Sequence, residues 1–317
     1  KSIVYVTGEL IISVKATDEI SGGEKTFFSI DGQPFKQYQT PVVLSEEKEY
    51  RLKYYSVDHV GNVEPVEMKT IVFDKSNPKS KVSFLGDQFE STISGRSSIE
   101  LVSEDAGIGV SRIIYLIDGV KKTYTSVIKA ANFSLGEHTM LFFSEDFLGN
   151  VEDTQKIEFY IDKTPPKIIQ EITGKSFFAN GREFSSGRSQ LKLATFDNKS
   201  GVKEVFYSIN GQKYSKYEKP VFLNSASGNI TIKTYAIDNV GNKSQDSDSE
   251  SQTARVPFID LSGPSLKHSF SGPFYQTRDS SFINEKTKII LTGIDPEAGM
   301  KSIEYTIDGK ELLVYDK

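Results

Sequence analysis

The chain has 317 residues, 37% of them apolar and 11% aromatic, with a net charge of −5. That is too long for one β-sandwich and enough for three or four cores of ordinary size. The absence of cysteine excludes disulfides and thiol catalysis, the scattered Lys and Arg argue against a nucleic-acid face, and no apolar run reaches the about 18 residues of a membrane-spanning helix.

The first residues, Lys1-Ser2-Ile3-Val4-Tyr5, lack the features of a signal peptide and enter a strand pattern directly, as expected of a chain whose upstream sequence has been removed. Ile12, Val14 and Ala16 then alternate with polar residues, the period of a half-buried strand. A loop with Asp18 and Gly22 follows, then a second alternating strand through Thr26, Phe28 and Ile30. That strand stops at Asp31-Gly32, the chemistry of a two-residue hairpin whose central residues need positive φ. Tyr38 and Pro41 come next, then Tyr55-Ser56 ahead of the loop Asp58-His59-Val60-Gly61-Asn62. The segment closes on Phe73-Asp74-Lys75-Ser76-Asn77-Pro78.

The whole series then recurs. Asp18/Gly22/Asp31-Gly32 is matched, at identical spacing, by Asp105/Gly109/Asp118-Gly119, Asp197/Gly201/Asn210-Gly211 and Asp295/Gly299/Asp308-Gly309. The preceding strand recurs as Ile99-Leu101-Ser103, Leu191-Leu193-Thr195 and Ile289-Leu291-Gly293, so Leu101 and Leu193 are expected as buried equivalents. Asp-x-x-Gly-Asn returns at Asp146–Asn150 and Asp238–Asn242, and the fourth copy stops before reaching it, as expected of a piece of a longer protein. The closing segment returns as Ile161-Asp162-Lys163-Thr164-Pro165-Pro166 and Ile259-Asp260-Leu261-Ser262-Gly263-Pro264. Proline restricts its own φ and the residue before it, so these junctions are short and stiff.

The first aspartates of successive copies lie 87 to 98 residues apart, the length of an immunoglobulin-like (Ig-like) domain. The fold class expected is all-β, with tandem antiparallel Ig-like β-sandwich domains joined by short Pro-containing linkers. The boundaries expected are 1–75, 76–163, 164–262 and 263–317, the first incomplete at its N-terminus and the last at its C-terminus.

The string Ser29-Ile30-Asp31-Gly32, Tyr38-x-x-Pro41, Tyr55-Ser56-Val57-Asp58-x-x-Gly61-Asn62 resembles the Ig-like repeat of leptospiral outer-membrane surface proteins, a family that carries an OmpL-type "β-barrel" label. It is also similar to the C-terminal Ig-like module of bacterial chitobiases, and the junctions resemble those of large repetitive bacterial adhesins. The resemblance covers nearly the whole chain and implies a bacterial, extracytoplasmic origin. The second copy departs from the pattern, since Tyr124 lacks the proline that follows Tyr38 and Tyr217.

Catalytic chemistry is not evident. His59, His138 and His268 fall in no ligand motif, there is no nucleophile elbow or P-loop, and the carboxylates that recur do so once per repeat. Turn chemistry accounts for the recurring aspartates: Asp caps the turn, Gly takes positive φ and Asn bonds back to the backbone. A second reading is a calcium site at each junction. In an Ig-like sandwich both loops lie at the pole where the linker arrives. That would group Asp74 with Asp105 and Asp146, then Asp162 with Asp197 and Asp238, and finally Asp260 with Asp295. Crowded carboxylates call for a cation or donors, and calcium accepts six to eight oxygens with loose geometry. Lys75 and Lys163, beside two of the linker aspartates, weigh against it.

The function expected is a non-catalytic structural or adhesive rod of a bacterial cell-envelope or surface protein, at the cell surface, outer membrane or periplasm. Its partners would be protein or glycan at the cell surface, or subunits of an envelope assembly, with no nucleic acid. The alternative is an accessory Ig-like array of a secreted glycan-active or proteolytic enzyme, or a docked component of a multi-subunit envelope assembly.

Overall fold

The computed structural model describes residues 3–18, 20, 23–179, 181–224, 227–244, 247–248 and 256–316. Lys1, Ser2 and Gly22 of the sequence argument lie outside them. The chain divides into two compact units, 1–163 and 164–317.

In the first unit, the first repeat contributes β1 (Ile3–Val6), β2 (Leu10–Ile12), β3 (Gly23–Ile30), β4 (Lys36–Gln37), β5 (Val42–Leu44), β6 (Lys48–Asp58) and β7 (Glu67–Phe73). They form a five-stranded sheet, β1-β7-β6-β3-β4, and a pair, β2-β5. The second repeat contributes β8 (Lys79–Leu85), β9 (Gln88–Phe89), β10 (Thr92–Ser94), β11 (Ser98–Glu104), β12 (Val110–Ile117), β13 (Val120–Thr123), β14 (Ile128–Lys129), β15 (Gly136–Asp146) and β16 (Gln155–Asp162). Here the sheets are β13-β12-β15-β16-β10-β9 and β14-β11-β8.

In the second unit, the third repeat contributes β17 (Lys167–Thr173), β18 (Ser176–Ala179), β19 (Arg182–Ser186), β20 (Gln190–Phe196), β21 (Val202–Ile209), β22 (Ser215–Lys216), β23 (Val221–Phe222), β24 (Ile232–Asp238), β25 (Ser247–Asp248) and β26 (Phe258–Asp260). They pair as β17-β20-β23, β18-β19-β26 and β22-β21-β24-β25. Residues 265–316 form three two-stranded ribbons and, among the described residues, contribute no buried hydrophobic side chain.

The expected all-β sandwich architecture is what the alternating sequence builds. Inward positions of β15 (His138, Met140, Phe142, Ser144, Asp146) and of β24 (Ile232, Thr234, Ala236, Asp238) are buried in strict alternation. They close separate cores: Leu10, Ile12, Tyr50, Leu52, Ile71 and Phe73 in the first repeat, Ile99, Leu101, Met140, Phe142 and Ile161 among others in the second, and Leu191, Ile209, Leu223, Ile230, Ile232 and Ile259 in the third. The Asp-Gly and Asn-Gly hairpins form as expected, with both central residues at positive φ (51° and 77° at Asp31-Gly32, 52° and 71° at Asn210-Gly211). Tyr38 and Tyr217 pack edge-on against Phe28 and Tyr207, and Tyr124 packs on the second core, so these tyrosines are structural.

The structure adds two features to the antiparallel picture. Each of the first three repeats has one parallel pair, β1 with β7, β10 with β16 and β19 with β26. The short strand crosses between sheets and closes on the last strand, which places the linker aspartate inside a ladder: Asp74 N–H donates to Val6 O at 3.0 Å. A register shift also recurs at the start of β3, β12 and β21, between Gly23/Lys25, Val110/Arg112 and Val202/Glu204, a bulge that turns the strand into the preceding loop.

Leu101 is 2% exposed, but Leu193 is only half-buried, its N–H taken up by the Tyr217 hydroxyl at 3.0 Å. The fully buried equivalents are Ile99 and Leu191, each 0% exposed. Ile99→Ala and Leu191→Ala are therefore expected to cost about 2–5 kcal/mol each. Leu193→Ala should cost less than Leu191→Ala, a ranking that denaturant unfolding of the three variants checks.

Candidate metal centre at a repeat junction

Both loops at the pole of a repeat are held by an aspartate carboxylate. Asp146 Oδ1 accepts the N–H groups of Leu148 and Asn150, both at 2.8 Å, and its Oδ2 accepts Asn150 Nδ2 at 2.7 Å. Asp58 and Asp238 accept the same three donors, Val60 N, Asn62 N and Asn62 Nδ2 in one and Val240 N, Asn242 N and Asn242 Nδ2 in the other. The Asn side chain thus bonds to the Asp carboxylate of its own loop, whereas turn chemistry alone suggested a bond back to that loop's backbone. The other loop repeats the device: Asp105 Oδ2 accepts Gly107 N and Gly109 N at 3.0 and 2.8 Å, Asp197 Oδ1 accepts Lys199 N and Gly201 N, and Asp295 Oδ1 accepts Glu297 N and Gly299 N. The i+2 and i+4 spacing is why Asp-x-x-x-Gly and Asp-x-x-Gly-Asn recur.

The linker brings a third carboxylate to the pole of the second repeat. Asp74 is 2% exposed; its Oδ1 accepts Ser76 N and Oγ at 3.1 and 2.7 Å, and its Oδ2 accepts Ile108 N at 2.7 Å. Asn150 Nδ2 donates to the Asp74 carbonyl at 3.3 Å, and Thr7 Oγ1 donates to Asn150 Oδ1 at 2.7 Å, so the loop of the second repeat is seated on the end of the first. Gly107 permits the approach: a Cβ there would lie 1.6 Å from Asp74 Oδ2. In the fourth repeat Glu297 takes that turn position, and the corresponding bond, Ala298 N to Asp260 Oδ2, is 3.2 Å.

Asp74, Asp105 and Asp146 each bring one oxygen within 4.8 Å of the other two, the grouping expected from the sequence. Two unit charges at that separation repel by about 3 kcal/mol at an effective dielectric of about 20. Most of the carboxylate oxygens have donors. Asp105 Oδ1 is the exception, a buried atom without a hydrogen-bond partner. A buried unpaired carboxylate oxygen is costly unless a cation meets it. The all-oxygen set suits calcium, whose ligands lie about 2.3–2.6 Å from the ion and hence up to about 5 Å from one another. Asp74, Asp105 and Asp146 would hold it, with water and loop carbonyls free to complete the shell. The linker lysine does not supply the charge: Lys75 Nζ lies 5.7 Å from the Phe73 ring centroid, and its N–H donates to Glu47 Oε1.

Asp162 belongs to the first unit, where it is fully buried at the end of β16, and the neighbouring Lys163 Nζ donates to the carbonyls of Ala131 and Phe133. Asp197 and Asp238 belong to the second unit. Asp197 Oδ2 is again a buried oxygen without a partner, the counterpart of the Asp105 orphan. At the third linker Asp260 reaches the turn that Asp295 holds, and Ser262 Oγ bridges Asp260 Oδ1 and Glu297 Oε2, at 3.0 Å each. Of the histidines, His138 is buried, bonded to Asp118 Oδ2 at 2.6 Å and Ser134 O at 3.0 Å, and serves a hairpin rather than the metal group.

Sequence reasoning missed Glu152. It follows Asp-x-x-Gly-Asn and accepts Ser80 N at 3.0 Å, Ser80 Oγ, Ser144 N at 2.7 Å and Gln155 Nε2 at 3.1 Å, clamping β8 to the loop. The one signal was Gly-Asn-Val-Glu at both 61–64 and 149–152. Burial raises the pKa of Glu152, but the bonds from Ser80, Ser144 and Gln155 outweigh it and hold the group below the ordinary 4.5. A folded value below the unfolded one means stability that is complete above about pH 4.5 and is lost as pH falls through the folded value. Glu152→Gln should therefore lower the melting temperature at neutral pH, and the gap from the parent should close on acidification. Thermal melts between pH 7 and pH 3 check this.

Small β-sandwich repeats with separate cores and aspartate-capped loops have the architecture of Ig-like domains. The bacterial Ig-like domain family matches residues 161–263, so the chain carries a bacterial Ig-like repeat. No curated protein matches the chain. Among solved structures, the fibronectin(III)-like modules of Clostridium thermocellum CbhA are 16% identical over 51% of this chain and 89% of theirs, with a TM-score of 0.27. A solved chain from a 1.5-MDa bacterial ice-binding adhesin, described for host cell surface retention, is 11% identical over 82% of this chain and 95% of that solved chain, with a TM-score of 0.33. SGBP-B of the Bacteroides ovatus mixed-linkage glucan utilization locus is 12% identical over 93% of this chain and 88% of its own, with a TM-score of 0.17. At these scores none of them places a ligand or partner on this chain.

Proposed function

We propose that this chain is a non-catalytic tandem array of Ig-like domains from a bacterial surface or envelope protein, of the kind found in leptospiral outer-membrane surface proteins. Each repeat is one domain. The array spaces or displays surface for protein or glycan partners outside the cytoplasm, and calcium closes the junction between its first two repeats. The match to a bacterial Ig-like domain supports the origin. The recurrence of each polar device once per repeat supports a structural role, because an active site needs one convergent set of groups.

The observation that carries the reading is the buried, unpartnered Asp105 Oδ1 beside the Asp74 and Asp146 carboxylates. Calcium at a hundredfold excess over its Kd should stabilise the first unit by about 2.7 kcal/mol. A chelator should reverse the rise in melting temperature, and Asp105→Asn should remove the response. A melting temperature indifferent to both calcium and chelator would end the calcium reading. Assays with glycoside, ester and peptide substrates should show no turnover, and turnover that tracks a single residue would overturn the structural role.

A further inference from the structure

The outward faces of the sheets are where the repeats differ most in charge. In the second repeat β8 pairs with β11 so that Lys79 stands opposite Glu104 and Lys81 opposite Val102. Ser80, Val82 and Phe84 turn inward, to Glu152 and the core. Lys79 and Lys81 therefore share the outward face, roughly 6.6 Å apart along the strand. At the same places the third repeat has Lys167 opposite Phe196 and Ile169 opposite Ala194, and the fourth has Ser265 opposite Ile294 and Lys267 opposite Thr292. The two lysines and their glutamate do not recur, so the fold itself does not call for them.

The linker forms a wall over this face. A cleft of about 380 Å³ lies among Ser76, Asn77, Lys79, Lys81, Val102 and Glu104, and Asp105 also borders it. Its walls are fixed: Asp74 Oδ1 accepts both Ser76 N and Ser76 Oγ, Pro78 is buried, and Ser103 Oγ donates to the Lys79 carbonyl at 3.2 Å. Val102, 49% exposed, supplies an apolar surface. The polar tips are unspent. Among the described residues neither lysine ammonium has an ion-pair partner, and the side chains of Asn77 and Glu104 make no hydrogen bond. Asp105 Oδ2, by contrast, is committed to the N–H groups of its own turn.

We infer that this cleft binds an acidic sugar, a hexuronate unit of a polysaccharide. Lys79 and Lys81 take the carboxylate, Glu104 and Asn77 take ring hydroxyls, and Val102 meets a C–H face of the ring. A bare phosphate or sulfate would use the lysines but would face Glu104, an acceptor that asks for hydroxyl donors. An acidic peptide strand would seek a sheet edge, where main-chain groups are free, whereas this cleft lies on a sheet face and offers side chains. The volume is that of a small-ligand site. The inference rests on the reading of the array as a non-catalytic display surface and names one glycan class for it; it does not use calcium.

Tetragalacturonate, titrated into the intact chain, is the probe, with its fully methyl-esterified form and hexaglutamate as comparisons. Saturable binding of tetragalacturonate is expected, and the neutral ester and the peptide should bind about tenfold or more weakly, the size of a lost charge-assisted contact. Lys81→Gln should weaken tetragalacturonate similarly and Glu104→Gln to a smaller extent, with melting temperatures like the parent's because both side chains are exposed. Lys122→Gln, on β13 away from the cleft, should change nothing. No binding, equal binding of acid and ester, hexaglutamate binding as well as the sugar, or a loss with Lys122→Gln equal to that with Lys81→Gln would each overturn the proposal. Binding accompanied by shortening of the tetrasaccharide would uphold the cleft and overturn the non-catalytic reading; an intact tetrasaccharide without binding would do the reverse.

Discussion

The poles of these sandwiches depend on how an inward-facing strand ends. β15 and β24 point every second residue into the core, and the last inward residue of each is an aspartate, Asp146 or Asp238. A carboxylate there is buried by the register of the strand. It stays because the following turn aims two backbone N–H groups and an asparagine amide at it. The carboxylate neutralises donors that an irregular turn would otherwise bury unpaired, and the turn solvates the charge in return. Gly at the fourth place of the motif takes positive φ, 91° at Gly61, 89° at Gly149 and 75° at Gly241, which lets the chain curl around one oxygen.

The same device crowds the pole. The loop after β11 is organised around Asp105 and the loop after β15 around Asp146, and the linker delivers Asp74 between them. Each carboxylate caps its own turn, but their approach is a tertiary consequence that local turn chemistry does not relieve. The strain falls on Asp105 Oδ1, which the turn leaves without a donor. A divalent ion suits that position because it answers several oxygens at once, whereas a lysine would bring one charge and a long flexible stem. The linker lysine instead lies against the Phe73 ring, and its serine, Ser76, caps the linker carboxylate. The Ser/Thr of the linker motif serves the aspartate two residues before it at Asp74 and again at Asp260.

Recurrence also marks the loop aspartates as parts of each repeat's own fold. A catalytic constellation is asymmetric, with a nucleophile, a base and an oxyanion site in one place. Here the loop aspartates come as sets, with the same partners at similar distances in successive repeats. Where these loops differ, the difference is one of packing. Val240 is fully buried while Val60, at the same place in its loop, is 73% exposed, and Glu152 is clamped while Glu64 is exposed.

Much of this was legible in the residues because the bonds concerned are short in sequence. The type of each strand follows from period-two alternation, the hairpins from Asp-Gly and Asn-Gly, and the capped loops from aspartates two and four residues ahead of the N–H groups they accept. Knowing the sandwich topology was enough to place Asp74 beside Asp105 and Asp146. Other features were beyond local pattern. The Ser80–Glu152 clamp joins residues 72 apart, and the Asn150–Asp74 bond joins residues 76 apart. The parallel closure of β1 on β7, the half-exposure of Leu193 and the unpaired oxygen of Asp105 depend on which strand lies alongside. Alternation by itself determined which residues face inward; only the assembled sheets decided what each inward group meets, because a polar atom's cost is set by its neighbours in space rather than in sequence.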